Sequence, residues 1–204
     1  MRTTSNSAVL AHEGVLQQSF GTSRSALRQI TMIVAATGFM AICAHVSVPL
    51  PFTLVPLTLQ TFAVVLLGMV MGPAAGFATM VLYLAEGAFG LPVFSQYGAG
   101  GAAQLLGPTG GFLISYPIAA LLAGKVVTRF TLVQSRPVRA IVAGSVAIMV
   151  ILTMGAAWLM LNPTLHLHLN AALTMGVLPF LPGEAIKIVA ASGIFATLER
   201  RKRS

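Results

Sequence analysis

Apolar residues in this chain do not alternate with polar ones; they run in long blocks broken by proline, glycine or basic residues. Residues 29–85 and 140–183 contain no Asp, Glu, Lys or Arg. Such blocks are too long for one buried soluble helix, and a membrane-spanning helix needs about 20 mostly apolar residues. Divided at their breakers, they predict six such helices. The first covers 27–47 and stops at Val48-Pro49-Leu50-Pro51-Phe52, where two prolines remove donors and bias their predecessors away from helix. The second, 56–71, is short for a span, so the segment before it is expected to dip into the protein. Gly72-Pro73 turns the chain into the third, 74–91. A glycine-rich stretch, 93–108, then reads as a lid or a connector. The fourth helix covers 109–129, with Thr109 as its N-cap. Ser135-Arg136-Pro137 leads into the fifth, 138–161, which Asn162-Pro163 ends. A short surface helix is expected within 165–178, and the sixth span covers 182–198. The expected fold class is an all-α integral membrane protein with six transmembrane helices.

Composition agrees with this reading. Hydrophobic residues are 56% of the 204 positions and charged residues 8%, with a mean hydropathy of +0.89. Soluble domains carry about 25% charged residues, so this chain could not cover a water-facing surface. The net charge of +8 would fit nucleic acid if it formed one patch, but it does not. Eleven of the twelve basic residues lie before the first uncharged apolar run, around the connection between the fourth and fifth spans, or in the last residues. Placing those three regions in the cytoplasm satisfies the positive-inside rule and puts both termini there. The outer segments 48–56, 92–108 and 162–181 then contain no Lys or Arg. Residues 1–24 read as a mobile cytoplasmic tail without a signal-peptide layout, 25–199 as one membrane domain, and 200–204 as a basic tail.

Against this background one stretch stands out, Pro179-Phe180-Leu181-Pro182-Gly183-Glu184-Ala185-Ile186-Lys187. Pro182 suits the first turn of a helix, and Glu184 in that turn is favoured by the helix dipole. Residues three apart share a face, so Glu184 and Lys187 can point together into one cavity near the outer side. Ionisable groups at membrane depth are costly and mark substrate or ion paths; a self-neutralising pair that only orients the helix is the alternative. In the third helix Tyr83 and Glu86 also share a face. Glu86 either lines the same cavity or hydrogen-bonds between helices. Thr58, Gln60 and Thr61, crowded at the start of the second helix, either bond across helices or touch a ligand.

Other motifs exclude more than they assign. Gly107-Pro108-Thr109-Gly110-Gly111 is superficially like a phosphate loop but lacks its Gly-Lys-Ser/Thr. His166 and His168 have no Glu or Cys beside them, the single Cys43 forms no internal disulfide, and no metal or other cofactor is expected. Gly144-Ser145 does not complete a hydrolase elbow. An acid–base pair of Glu86 and Glu184 would have no nucleophile or metal to work with, so a membrane enzyme is the weaker reading. Ala35, Ala36, Gly38, Ala41 and Ala44 give the first helix a small-residue face, for docking another membrane subunit or for internal packing.

Taken in order, Val55-Pro56-Leu57-Thr58-Leu59-Gln60-Thr61, Gly90-Leu91-Pro92-Val93-Phe94, Gly107-Pro108-Thr109-Gly110-Gly111 and Pro179 to Glu184 resemble the BioY family across residues 28–198. Its members are biotin-binding S components of energy-coupling factor (ECF) transporters. The resemblance implies a six-helix S-component bundle in the bacterial plasma membrane that captures biotin from outside. It implies partnership with a transmembrane coupling subunit and ATPase subunits, with no catalysis by this chain; self-association stays open. It also implies that Glu184, where the family pattern usually has Asp, and Lys187 contact biotin. Polar residues of the loop after the third helix would assist, here Gln96, Tyr97 and Gln104 in place of an arginine found in some relatives. Glu184 can accept from the ureido N–H groups, and Lys187 can serve the ureido oxygen or the valerate carboxylate. An S component for another vitamin is the alternative.

Overall fold

The computed structural model describes residues 27–130 and 134–201. The tail expected over 1–24 and the last three residues of the expected basic tail lie outside them. The chain divides into two compact units, 1–35 and 36–204. In the first, the described residues are 27–35, the opening turns of helix α1 (Leu27–His45), with Thr31 Oγ1 donating to the Leu27 carbonyl at 2.9 Å.

The second unit continues α1 and adds strands β1 (Ser47–Val48) and β2 (Leu57–Thr58). Helices α2 (Gln60–Met71), α3 (Pro73–Ala88), α4 (Gly101–Leu106) and α5 (Gly110–Arg129) follow, then α6 (Arg136–Leu161), α7 (Leu169–Gly176) and α8 (Leu181–Arg201). Among the described residues, four helices are long and apolar enough to cross a membrane: α1, α5, α6 and α8. At 12 residues α2 is about 18 Å long, well short of a hydrocarbon core of about 30 Å.

The fold is mostly helical, and one small ladder explains the short helix. The chain from Ser47 to Thr58 forms a small antiparallel ladder pairing Ser47 with Thr58 and Val48 with Leu57. The Leu59 N–H extends it to the Val46 carbonyl at 3.0 Å. Those bonds commit residues 57–58 to extended pairing and leave Leu59 as the N-cap, so α2 begins at Gln60 rather than at 56–57. The segment does enter the protein: Val55 is buried, and Thr53 Oγ1 donates to the Met175 carbonyl at 2.7 Å. Helix α3 stops at Ala88, three residues before the expected end, where the Phe89 N–H returns to the Ala85 carbonyl and Gly90 has φ +93°. The glycine-rich stretch is no plain loop, since it contains α4. Thr109 occupies the N-cap position of α5 without a side-chain cap bond.

Helix α5 lies at the centre, against α6 most extensively and then α3 and α2; α8 packs on α2 and α6. Small residues make the contact close. A Cβ on Gly68 would lie 2.6 Å from the Ala120 carbonyl oxygen, and one on Gly124 would lie 2.6 Å from the Pro73 nitrogen. This is how membrane helices associate when the hydrophobic effect supplies no drive between them. The Gly107–Gly111 motif likewise serves packing. A Cβ on Gly111 would lie 2.1 Å from that of Trp158, whose Nε1–H donates to the Gly107 carbonyl at 2.9 Å. Asn162 Nδ2 donates to the Leu106 carbonyl at 2.9 Å, so the entry to α5 is fastened to α6 at two points.

Candidate functional site

A narrow cavity lies among α2, α4, α5, α6 and the start of α8. Its volume is about 510 Å³, mouth included. One wall is apolar: Phe112, Leu113, Ile151, Leu152 and Phe180, with Val55 and Pro56 from the inserted segment. The polar wall brings in Thr58, Gln60, Thr61, Ser95, Gln104 and Glu184.

Glu184 sits in the first turn of α8, its N–H bonded to the Phe180 carbonyl at 2.8 Å, and its side chain is buried. Oε1 accepts from Thr61 Oγ1 at 2.9 Å and from Lys187 Nζ at 2.7 Å. Lys187 Nζ also donates to the Thr58 carbonyl at 2.6 Å and to Thr61 Oγ1 at 3.0 Å. An ammonium has three donors, and all three are engaged here. Lys187 therefore lies behind Glu184 and does not line the cavity. Glu184 Oε2 is the opposite case: buried, with no hydrogen-bond partner among the described residues. A buried polar atom without a partner costs about 1–3 kcal/mol, more for a charged group, so this oxygen calls for a donor.

Of the residues singled out in the sequence, Glu184, Gln104, Thr58, Gln60 and Thr61 share the cavity lining. Gln104 Nε2 donates to the Ser95 carbonyl at 3.4 Å, and its Oε1 accepts from the Gly100 N–H at 3.2 Å. Gln96 and Tyr97 are exposed on the segment just after Ser95 and do not line the cavity. Tyr83 is fully buried behind it, donating to the Val93 carbonyl at 2.9 Å and accepting from Gln60 Nε2 at 2.7 Å. Glu86 is half-buried outside the lining and accepts from Thr37 Oγ1 of α1 at 3.0 Å, so of the two alternatives the interhelical bond is the one formed.

Ser95 was not assigned to the site by sequence, and Thr58, Gln60 and Thr61 were left between interhelical bonding and ligand contact; all four line it. Thr58 Oγ1 donates to Gln60 Oε1 at 3.1 Å, and Tyr83 takes one Nε2 hydrogen. One hydrogen and one lone pair of the amide remain. The available signal was three polar side chains at the head of an apolar helix, 58, 60 and 61.

An apolar slot closed by a buried carboxylate, within a bundle of membrane-length helices, defines a membrane protein built to hold a small molecule with a polar head. The BioY family profile matches residues 15–204, and the chain belongs to that family. It is 34% identical to the "Probable biotin transporter BioY" of Pyrococcus horikoshii over 80% of this chain and 91% of that one. It is also 34% identical to the biotin transporter BioY of Rhodobacter capsulatus, over 87% and 96%. Among solved structures it resembles the S-component for biotin from an ECF-type ABC transporter. That match has a TM-score of 0.75 and 27% identity, and covers 87% of this chain and 93% of that one.

Proposed function

We propose that this chain is the biotin-binding membrane subunit of an uptake system, with six spans and both termini in the cytoplasm. It captures biotin at the outer face, and separate ECF coupling and ATPase subunits energise its release inside. The family is one of transporter components, so the chain binds its ligand and transforms nothing. In this reading 25–199 act as one membrane domain, α2 and α3 completing their spans with the inserted segment and the turns around them.

The observation that carries the reading is the half-satisfied Glu184 carboxylate, Oε1 held by Thr61 and Lys187 and Oε2 buried without a donor. A ureido ring supplies that donor, an N–H facing a charged acceptor. The remaining Nε2 hydrogen of Gln60 suits the ureido carbonyl, and the apolar wall suits the fused thiolane ring and the valerate methylenes. The carboxylate end would lie toward Ser95 and Gln104, with Gln96 and Tyr97 beside it. Lys187 acts through Glu184, Tyr83 through Gln60, and Glu86 by holding α1.

The test is calorimetric titration of the purified, detergent-solubilised protein with biotin, using riboflavin and thiamine as controls. Biotin alone should bind. Glu184→Gln replaces an acceptor with an amide and should weaken binding by roughly 10–150-fold, the worth of one hydrogen bond to a charged group. Binding of a control vitamin instead of biotin overturns the substrate. Biotin binding unchanged in Glu184→Gln overturns the site.

A further inference from the structure

At the opposite, basic end of the second unit lies another cavity, of about 740 Å³ with its mouth included. It is bounded by the end of α2 with Gly72, the end of α5, the start of α6 and the last turns of α8. Its lining has two halves. Met69, Met71, Val127 and Phe195 form an apolar wall, and Arg136 and Arg139, both half-buried, bring two guanidinium groups. Glu199 is the opposing charge, which leaves the lining with a positive excess. Arg139 Nε is buried and has no hydrogen-bond partner among the described residues. Two helix N-termini meet here without side-chain caps, α3 at Gly72 and α6 at Ser135. Such ends favour anions.

We infer that this cavity binds the phosphate of an acidic phospholipid from the cytoplasmic leaflet. A phosphodiester offers acceptors to two arginines in the geometry that guanidinium groups favour. A lipid adds an acyl chain that covers the methionine and phenylalanine wall, which a soluble anion cannot do. A headgroup of net negative charge complements the two guanidinium groups better than zwitterionic choline does. Basic pockets between membrane helices on the cytoplasmic side are suited to such headgroups. The site is separate from the Glu184 cavity and does not depend on the ligand held there.

The experiment is native mass spectrometry of the full chain in detergent, titrated with phosphatidylglycerol, with phosphatidylcholine or with inorganic phosphate. Phosphatidylglycerol should bind, and Arg136→Gln/Arg139→Gln should weaken it by roughly 30-fold. Glu199→Gln removes the opposing charge and should tighten it, a prediction that stands even if the double variant fails to fold. Equal binding of the two lipids overturns the proposal. So does phosphatidylglycerol binding unchanged in a folded double variant, or weakened by Glu199→Gln. Inorganic phosphate bound where phosphatidylglycerol is not would keep the phosphate chemistry and overturn the lipid as its source.

Discussion

Lys187→Met keeps most of the lysine stem and removes three donated hydrogen bonds at 2.6, 2.7 and 3.0 Å. The lysine and glutamate side chains are 11% and 4% exposed, so water cannot take over those bonds. Removing one member of a buried ion pair costs about 3–5 kcal/mol, because the other charge is left uncompensated. Glu184→Gln should cost a similar amount by stranding the ammonium. Glu184→Gln/Lys187→Met leaves no lone charge and should cost less than the sum of the two, with a coupling of at least about 2 kcal/mol. At about 2–4 °C per kcal/mol for a chain of this size, each single variant should melt roughly 6–20 °C below the parent. The double variant should melt well above the temperature that adding the two losses would give. The assay is thermal unfolding in detergent, followed by the fluorescence of the one tryptophan, Trp158. Single variants within about 3 °C of the parent, or strictly additive losses, would refute the argument that the pair is a buried, mutually dependent unit.

Gly111→Ala sets a methyl group 2.1 Å from the Trp158 Cβ and should destabilise by about 1–3 kcal/mol, read from the same melting curve. Tyr83→Phe strips the Val93 carbonyl of its donor and Gln60 of its acceptor. It should lower stability by about 1–3 kcal/mol and weaken biotin binding less than Glu184→Gln does, which a titration of both variants checks. Glu86→Gln keeps an acceptor for Thr37 and should leave biotin affinity within about threefold of the parent; a loss as large as that of Glu184→Gln would return Glu86 to the ligand site.

How much of this was legible in the sequence follows from which interactions are local. The four membrane-length helices needed only long apolar runs, and Glu184 with Lys187 needed only the helical period. Thr61 is 123 residues from Glu184, and nothing periodic in either helix says which faces meet. Prolines 49 and 51 announced a break after α1, but the pairing of Ser47 with Thr58 depends on where the chain returns. Helix α4 was hidden because its first residue and the three before it, Gly98-Ala99-Gly100-Gly101, have the composition of a loop. Glu86 remained ambiguous for the same reason as Thr61: its partner Thr37 lies 49 residues earlier, on another helix.

The two bonds from Trp158 and Asn162 to the Gly107 and Leu106 carbonyls have a mechanical consequence. They rivet one margin of the segment that carries Ser95 and Gln104. The other margin is clasped to α3 by the Tyr83 hydroxyl on the Val93 carbonyl and by the Phe94 ring, seated against Gly87. The segment is thus anchored along both margins, to α6 on one side and to α3 on the other, so Ser95 and Gln104 are presented to the slot from a strip tied down at both edges.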